Sequence, residues 1–478
     1  MSVSGPSPVA HPRAAGNNAE DNWRADIAAE IQGIVLKGLE TFDASTVTKL
    51  HDIERFVQEL LRRVGGVLTT QLALEASALC PRPDCPRCHR AMEVRNRRAR
   101  HCCGLTGDLE LARVEYVCRS CGEVVVPADE LWELGPGCLT PGLSRVVSAA
   151  CADIPSCERA ASLVGEALHI AITADTAWRT SEAIGAVAEQ EMQQAMSAPV
   201  PSAPETEEQP FVLMVGMDAC KVHAGKRWRD VKIGVVASLG PERHTDTKTG
   251  RVSLALGPRA YCAGIEDADR FYDRVMALAS QAGWHPTRPL QVVLLGDGGE
   301  WIWNRAARLR AEGSAVIEIL DIYHAREHIW KVAHTVLGTG IPGHHWGDTM
   351  ATALLDKGPE AVIAALGALR PRGAQQRDVV RQALAYFQDN AGRMCYQTYL
   401  AKALPIGSGI VESSCRLVCG LRCKQPGMRW SLAGVQAILT LRAQRLSQAT
   451  HWEDLWRHAP QRRRPPVNTL TKLLPHAA

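Results

Sequence analysis

Two cysteine pairs constrain this chain more than any other feature. Cys85-Pro-Arg-Cys88 and Cys118-Arg-Ser-Cys121 stand 30 residues apart, counted from Cys88 to Cys118. Paired C-x-x-C knuckles supply four thiolates, the donor set of a closed tetrahedral zinc site, so the chain between them has to double back. Residues 80–133 are therefore expected to form a zinc-ribbon-like module with one structural Zn²⁺ on Cys85, Cys88, Cys118 and Cys121. The gap leaves room for strands, and Leu109–Val117 and Val124–Val126 are β-like runs. His101, Cys102 and Cys103 are alternative ligands, disfavoured because adjacent residues rarely both point at one ion. Arg87, Arg90, Arg95, Arg97, Arg98 and Arg100 crowd the module. They suit contact with a phosphate backbone, or else a solvated basic loop.

The remaining composition sets bounds. The chain of 478 residues holds 16 cysteines and begins without an apolar leader, which argues for reduced thiols over a disulfide framework. The scattered cysteines read as small buried residues. At ~150 residues per domain the length suggests about three domains. A hydrophobic content of 46% and a charged content of 22% exclude a mostly disordered chain. No apolar run approaches the ~18 residues of a membrane span, so no membrane association and a cytoplasmic location are expected. A net charge of +3 is too mild to imply nucleic acid alone, so any basic surface must be local.

Along the chain, residues 1–22 read as a disordered arm. Residues 23–79 read as helical, with Ile53, Val57, Leu60, Val64 and Leu68 on one helix face. Residues 140–196 return to helix in three pieces, Ser156 capping one and Thr173 the next. This pair resembles a helix-turn-helix with Thr176, Arg179 and Thr180 toward DNA, or equally a plain helical bundle. The Pro-rich, acidic stretch 197–210 reads as a linker. Beyond it, Phe211–Met217, Val231–Leu239 and Val252–Leu256 read as strands, Asp269–Ala282 as a helix and Leu290–Leu295 as a strand. Trp301–Ala311 reads as a helix and Ala315–Leu320 as a strand, which together imply a mixed α/β sheet. Residues 321–404 are almost wholly helical in pattern, and 451–478 end in a basic tail.

Three carboxylates stand where chemistry can be built. Asp218 and Asp297 end two of the strands, and Glu412 opens an amphipathic basic helix after Gly-Ser-Gly. Such a set can bind two Mg²⁺ or Mn²⁺ ions and drive displacement at a phosphodiester. Asp230, Glu300 and Asp321 compete for any one place, and a strand-end Asp is often only a turn former.

The strings GDGGEWIWN (296–304), ILDIYHAREH (319–328) and GSGIVESSCRLVCGLRCKQPGMRWS (407–431) resemble those of bacterial insertion-sequence transposases of the ISKra type. These are similar to the wider DDE transposases with an RNase H-like fold, and the resemblance runs from the cysteine module to Ser431. It implies Asp218, Asp297 and Glu412 as the catalytic, metal-binding carboxylates. It also implies Asp321 and His324 as an Asp-x-x-His motif supporting them. Asp297 follows Asp218 by 79 residues, and Glu412 follows Asp297 by 115. That second gap implies an RNase H-like core in two parts, 211–328 and 405–450, interrupted by a helical insertion over 329–404. Ala219 and Cys220 stand where a Gly is expected, and Cys423 and Pro426 sit within the basic motif.

The expected protein is thus a multidomain α/β transposase. It would bind double-stranded DNA at the inverted-repeat ends of its element, cleave with two metals and join the 3′-OH ends to target DNA. Acting on two ends implies a homodimer or higher oligomer, located in a bacterial cytoplasm on the nucleoid. Arg95, Arg97, Arg98 and Arg179 are expected toward DNA, with Arg416, Arg422, Lys424 and Arg429 holding the strand near the metals. Trp430 is expected either to stack on an unpaired base or to pack in the core. Two other readings compete. A zinc-dependent DNA-binding regulator needs only the N-terminal half. His324-Ala-Arg-Glu-His328 also matches the H-x-x-E-H pattern of inverted zinc metalloproteases.

Overall fold

The chain is mixed α/β and divides into two compact units, one running to Ile184 and the other from Gly185 to Asp454. The computed structural model describes residues 22–45, 49–78, 80–135, 137–200, 212–245, 250, 252–313, 315–407, 409–448 and 451–457. The N-terminal arm, nearly all of the linker and most of the basic tail lie outside the described residues. Among the described residues, no helix is long and apolar enough to cross a membrane.

The first unit opens with α1 (Asn22–Glu40) and α2 (Leu50–Ala78), which pack on each other. The apolar stripe of α2 is less covered than its periodicity suggests: Leu60 and Val64 are half-buried, while Ile53, Val57 and Leu68 stay exposed. Gly65 and Gly66 let α2 cross the tip of a hairpin. A Cβ there would meet Thr106 O at 2.4 Å and Asp108 O at 2.6 Å.

That hairpin joins β1 (Glu93–Gly104) to β2 (Gly107–Val117), with β3 (Val124–Val125) completing an antiparallel sheet. Strand β1, EVRNRRARHCCG, goes beyond the sequence reading. It is polar and largely exposed, so it carries no alternating apolar signal and is held by its ladder to β2. Short α3 (Pro127–Leu131) follows, then α4 (Pro141–Asp153), α5 (Cys157–Leu168) and α6 (Ala174–Ser197). The hydroxyls of Ser156 and Thr173 accept from Arg159 N–H and Thr176 N–H, capping α5 and α6 as expected. His169, at φ 52°, ends α5 in the left-handed conformation. The division between the units falls inside α6.

The second unit is built on a five-stranded sheet. Strands β4 (Val212–Ala224), β5 (Arg227–Thr245) and β6 (Val252–Gly264) form an antiparallel meander. Then β7 (Gln291–Gly296) and β8 (Val316–Leu320) add parallel strands on the other side of β4, giving the order β6-β5-β4-β7-β8. Central parallel strands are covered on both faces, which explains the unbroken apolar runs VLMVGM and VVLL. Helix α7 (Ala268–Gln281), capped by Asp267, lies between β6 and β7.

The helix read over Trp301–Ala311 is instead α8 (Glu300–Trp303) and a separate 3₁₀ turn, Ala306–Leu309. Between them Arg305 leaves helical geometry, and its guanidinium is held by Asp269. After β8 come α9 (Ile322–Val332), a π-helical turn Ala333–Leu337, α10 (Ile341–Lys357), α11 (Pro359–Ala368), α12 (Ala374–Asp389) and α13 (Tyr396–Ala401). Two tyrosines of this helical stretch cap the outer edge of β8: Tyr396 Oη donates to Leu320 O (3.0 Å) and Tyr399 Oη to Glu318 O (3.1 Å).

The chain then returns to the sheet. Ile322 N–H donates to Ile406 O at 3.0 Å, immediately before α14 (Gly409–Ser414), the π-helical turn Cys415–Gly420 and α15 (Leu421–Cys423). Helix α16 (Leu432–Leu446) is buried along most of its length, and α17 (His451–Arg457) ends the described chain. Gly185 of α6 meets α16 where a Cβ would lie 2.3 Å from Ala437 O. Nearby, the Arg274 guanidinium is 1% exposed, paired bidentately with Glu189 (2.8 and 3.0 Å) and with Glu266 (2.7 Å). Such a cluster is tolerated because each charge is matched, and losing one partner costs ~3–5 kcal/mol.

Candidate metal centre and candidate active site

In the first unit the four expected cysteines converge. Their Sγ atoms all lie within 4.8 Å of one another, with Cys85–Cys121 at 3.5 Å and Cys88–Cys118 at 3.4 Å. A Zn–S bond of ~2.3 Å in a tetrahedron puts sulfurs about 3.8 Å apart, so this donor set fits zinc with little adjustment. The two knuckles share one construction. Cys85 N–H donates to Arg90 O and His89 N–H to Cys85 O, while Cys118 N–H donates to Glu123 O and Gly122 N–H to Cys118 O. His89 (φ 58°) and Gly122 (φ 74°) occupy the matching left-handed position, each one residue past the second cysteine of its pair. Backbone N–H groups of Cys121 and Ser120 hold the Cys118 thiol down to about 6. Met92, Tyr116 and Val125 pack around the cluster.

The arginines around it are largely engaged. Arg95 and Arg98 both bridge to Glu115 (3.2 and 2.8 Å), and Arg100 pairs with Asp129 (3.4 Å); Arg97 is exposed. Arg179 on α6 bridges to Asp175 at 3.0 Å.

In the second unit the sheet register aligns three carboxylates. Met217, Gly296 and Leu320 form one row across β4, β7 and β8, and the next residue on each strand is Asp218, Asp297 and Asp321. Adjacent strands are ~4.8 Å apart, so the three lie side by side: Asp297 and Asp321 stand just past the ends of β7 and β8, whereas Asp218 lies midway along β4, which continues to Ala224 instead of ending at the carboxylate as its sequence suggested. Asp321 N–H donates to Gly296 O (2.9 Å), while its carboxylate caps α9 by accepting from Tyr323 N–H (2.9 Å). Asp297 folds its carboxylate onto Gly299 N–H (3.1 Å). Burial raises the Asp218 carboxyl above its ordinary range and the Asp297 charge pushes the same way, opposed by hydrogen bonds from Cys415 Sγ and Ala219 N–H. Adjacent, partly desolvated carboxylates are a donor set suited to hard divalent cations. Among the described residues, however, no three of these carboxylates come within 4.8 Å of one another.

Helix α14 reaches this row because β4 yields space. At Gly216 a Cβ would lie 2.5 Å from Val411 Cγ2. Gly216, Asp218 and Cys220 alternate onto one face of β4. Opposite them run Val411, Cys415 and Cys419, with Cys415 Sγ donating to Asp218 Oδ2 at 3.1 Å. Glu412 is exposed and precedes Cys415 by three residues, one helical turn away. Val411 and Val418 are buried, as the helix pattern suggested.

One of the residues expected to face DNA does not, and Trp430 takes the core-packing alternative. Arg422 is 2% exposed, its guanidinium 5.2 Å from the Trp430 ring centroid, because α15 turns it into the core instead of toward solvent. Trp430 packs against that core. Its indole N–H donates to Cys423 O (3.2 Å), and its backbone pairs with His223 and Gly225. Arg416, Lys424 and Arg429 remain exposed.

His324 and His328 share one face of α9, ring centroids 5.3 Å apart, with His324 Nδ1 3.3 Å from Glu327. Burial lowers His328 to about 4, and its ring stacks on Tyr386 at 3.7 Å. Among the described residues these histidines and a third ligand atom do not gather within 4.8 Å of one another.

Two features escaped sequence reasoning. Tyr386, from α12, sits against the Asp297 loop: its hydroxyl is buried with no hydrogen-bond partner among the described residues, 3.6 Å from where a Gly298 Cβ would stand. The other is a group of thiols beside Asp218. Cys415, Cys419 and Cys423 recur every fourth residue, and this spacing was the available signal. No protein-family model and no curated protein matches the chain.

Proposed function

We propose that the protein is a DDE-type DNA transposase with an RNase H-like catalytic unit. The observation that carries this is the carboxylate row Asp218, Asp297 and Asp321 at one register of three adjacent parallel strands, midway along β4 and just past β7 and β8, beside an antiparallel meander. The strand order supports the RNase H-like reading, as does the long helical excursion before α14.

In this reading Asp218, Asp297 and Glu412 hold two divalent cations, and Asp321 fixes the start of α9 beside them. When bound, the cations supply charge that activates the attacking oxygen and steadies the leaving oxygen at phosphorus. Exposed Arg416, Lys424 and Arg429 contact the phosphates entering the site. One site serves end cleavage and joining, since both are displacements at phosphorus. The zinc module and the α5–α6 pair recognise the element ends. The exposed stripe Ile53, Val57 and Leu68 supports assembly with a second copy.

The test is to incubate the protein with Mn²⁺ and DNA carrying its own element ends, then map the cuts. Cuts at the element boundary are expected. Glu412→Gln should be as inactive as Asp297→Asn, whereas Glu300→Gln and Glu327→Gln keep measurable cleavage. Full activity in Asp297→Asn sinks the reading, and an active Glu412→Gln moves the third role elsewhere.

A further inference from the structure

Four cysteines gather beside the carboxylate row, and the proposed chemistry uses none of them. Cys220 lies two residues beyond Asp218, on the same face of β4. Opposite it, Cys415 and Cys419 stand one turn apart, and both thiols are hydrogen-bonding neighbours of the Cys220 sulfur. Cys419 in turn neighbours Cys423. The helical segment runs close to β4 because Gly216 carries no side chain under Val411. Cys220 and Cys415 are only partly buried, whereas Cys419 and Cys423 are buried. Cys415 has two neighbours of different kinds: its thiol donates to Asp218 Oδ2 at 3.1 Å and also lies beside Cys220.

We propose that Cys220 and Cys415 form an oxidisable pair, closed to a disulfide by hydrogen peroxide, and that closure shuts the neighbouring carboxylate site. The Cys220 sulfur takes one peroxide oxygen, giving a sulfenic acid and one water. The Cys415 sulfur then displaces the hydroxyl, which leaves as a second water with the Cys415 proton. Two thiols lose two electrons and one peroxide gains them. Cys415 is chosen over Cys419 as the resolving thiol because it is the less buried of the two and already sits at Asp218, two residues from Cys220 on the same face of β4. In the disulfide the Cys415 sulfur no longer donates to Asp218, and α14, which carries Glu412, is tied to β4. The cross-link stands independently of the transposase reading, whereas the loss of cleavage rests on it.

The test uses the full zinc-loaded chain. It is treated with a small excess of hydrogen peroxide, quenched with N-ethylmaleimide and digested with trypsin for mass spectrometry. Cleavage after Lys221, Arg416 and Arg422 places Cys220, Cys415, Cys419 and Cys423 on separate peptides. One linked pair, Cys220 to Cys415, is expected. It should be reversed by dithiothreitol, absent from Cys220→Ser and Cys415→Ala, and retained in Cys423→Ser. Two alkylated cysteines, or a Cys220–Cys419 link, overturn the pairing. The thermal shift produced by Mn²⁺ should vanish in the oxidised protein and return on reduction, with end cleavage falling at least tenfold in parallel. A disulfide that leaves the Mn²⁺ shift intact overturns the shut-off. A protein that cross-links as described but cuts no end DNA when reduced sinks the transposase reading alone.

Discussion

The two donor sets of this molecule are prepared to different degrees. The four thiols of the first unit already stand at nearly the spacing a metal such as zinc requires, positioned by two matching backbone turns. The carboxylates of the second unit share one sheet register, yet no three of them close to 4.8 Å. A structural site gains from being complete, since its metal stabilises the fold outright. A reactive site must admit substrate oxygens between its ligands, and charges held apart before the cations arrive suit that task.

The sharpest way to break this contrast is to remove one carboxylate. Asp218→Asn should cut end cleavage by at least a thousandfold, with zinc content unchanged by mass spectrometry. It should also raise the melting temperature slightly. A carboxyl whose pKa is raised by folding favours the folded state only at low pH, and that contribution is lost as pH rises through the raised value. At neutral pH the ionised Asp218 therefore opposes folding, and the neutral amide relieves this. A melting temperature that falls would refute the assigned burial.

Removing one thiol should act in the opposite sense. Cys118→Ser is expected to lose the single bound zinc and the near-native signature of residues 80–133 in hydrogen exchange, with the sheet of the second unit still protected. Unchanged zinc stoichiometry would mean that the cysteines do not ligate.

Gly216→Ala probes the packing that brings α14 to the row. The added methyl would meet Val411 and Val235 at 2.5 and 2.9 Å, so a loss of ~1–3 kcal/mol is expected in denaturant unfolding, together with weaker cleavage. Wild-type behaviour in both measurements would show that α14 needs no such approach. The smallest effect expected is on pH. Protons compete with zinc for thiolates, so zinc transfer to a chromophoric chelator should accelerate as pH falls from about 8 to about 5. A flat profile across that range would show that the thiolates do not hold the metal.

Much of the second unit was legible because its strands are buried on both faces and therefore write themselves as apolar runs: β7 and β8 lie within a residue of where the sequence places them, and β4 starts with VLMVGM but runs on through the polar DACKVHA to Ala224, where the apolar signal fades. The charged β1 was not legible, since a strand in a half-exposed ribbon need not alternate. The cysteine centre could be read from spacing alone, because the ligands are close in sequence. The alignment of Asp321 with Asp218 and Asp297 could not, because it depends on register across strands far apart in the chain. Arg422 misled for a related reason. Its charge suggested solvent, but the π-helical turn before it rotates the stripe and sends it under Trp430.

The tyrosine hydroxyls on the rim of β8 bear on how this protein can be shortened. Strand β8 has a neighbour on one side only, and an open strand rim is a template on which other chains can polymerise. Tyr396 and Tyr399 occupy two of its carbonyls, and the Arg393 guanidinium holds Glu318 at 2.6 Å. The helical excursion that separates Asp321 from Glu412 thus doubles as a guard against self-association. A trimmed chain joining α9 directly to α14 would keep every proposed catalytic carboxylate and still come out of the cell as inclusion bodies.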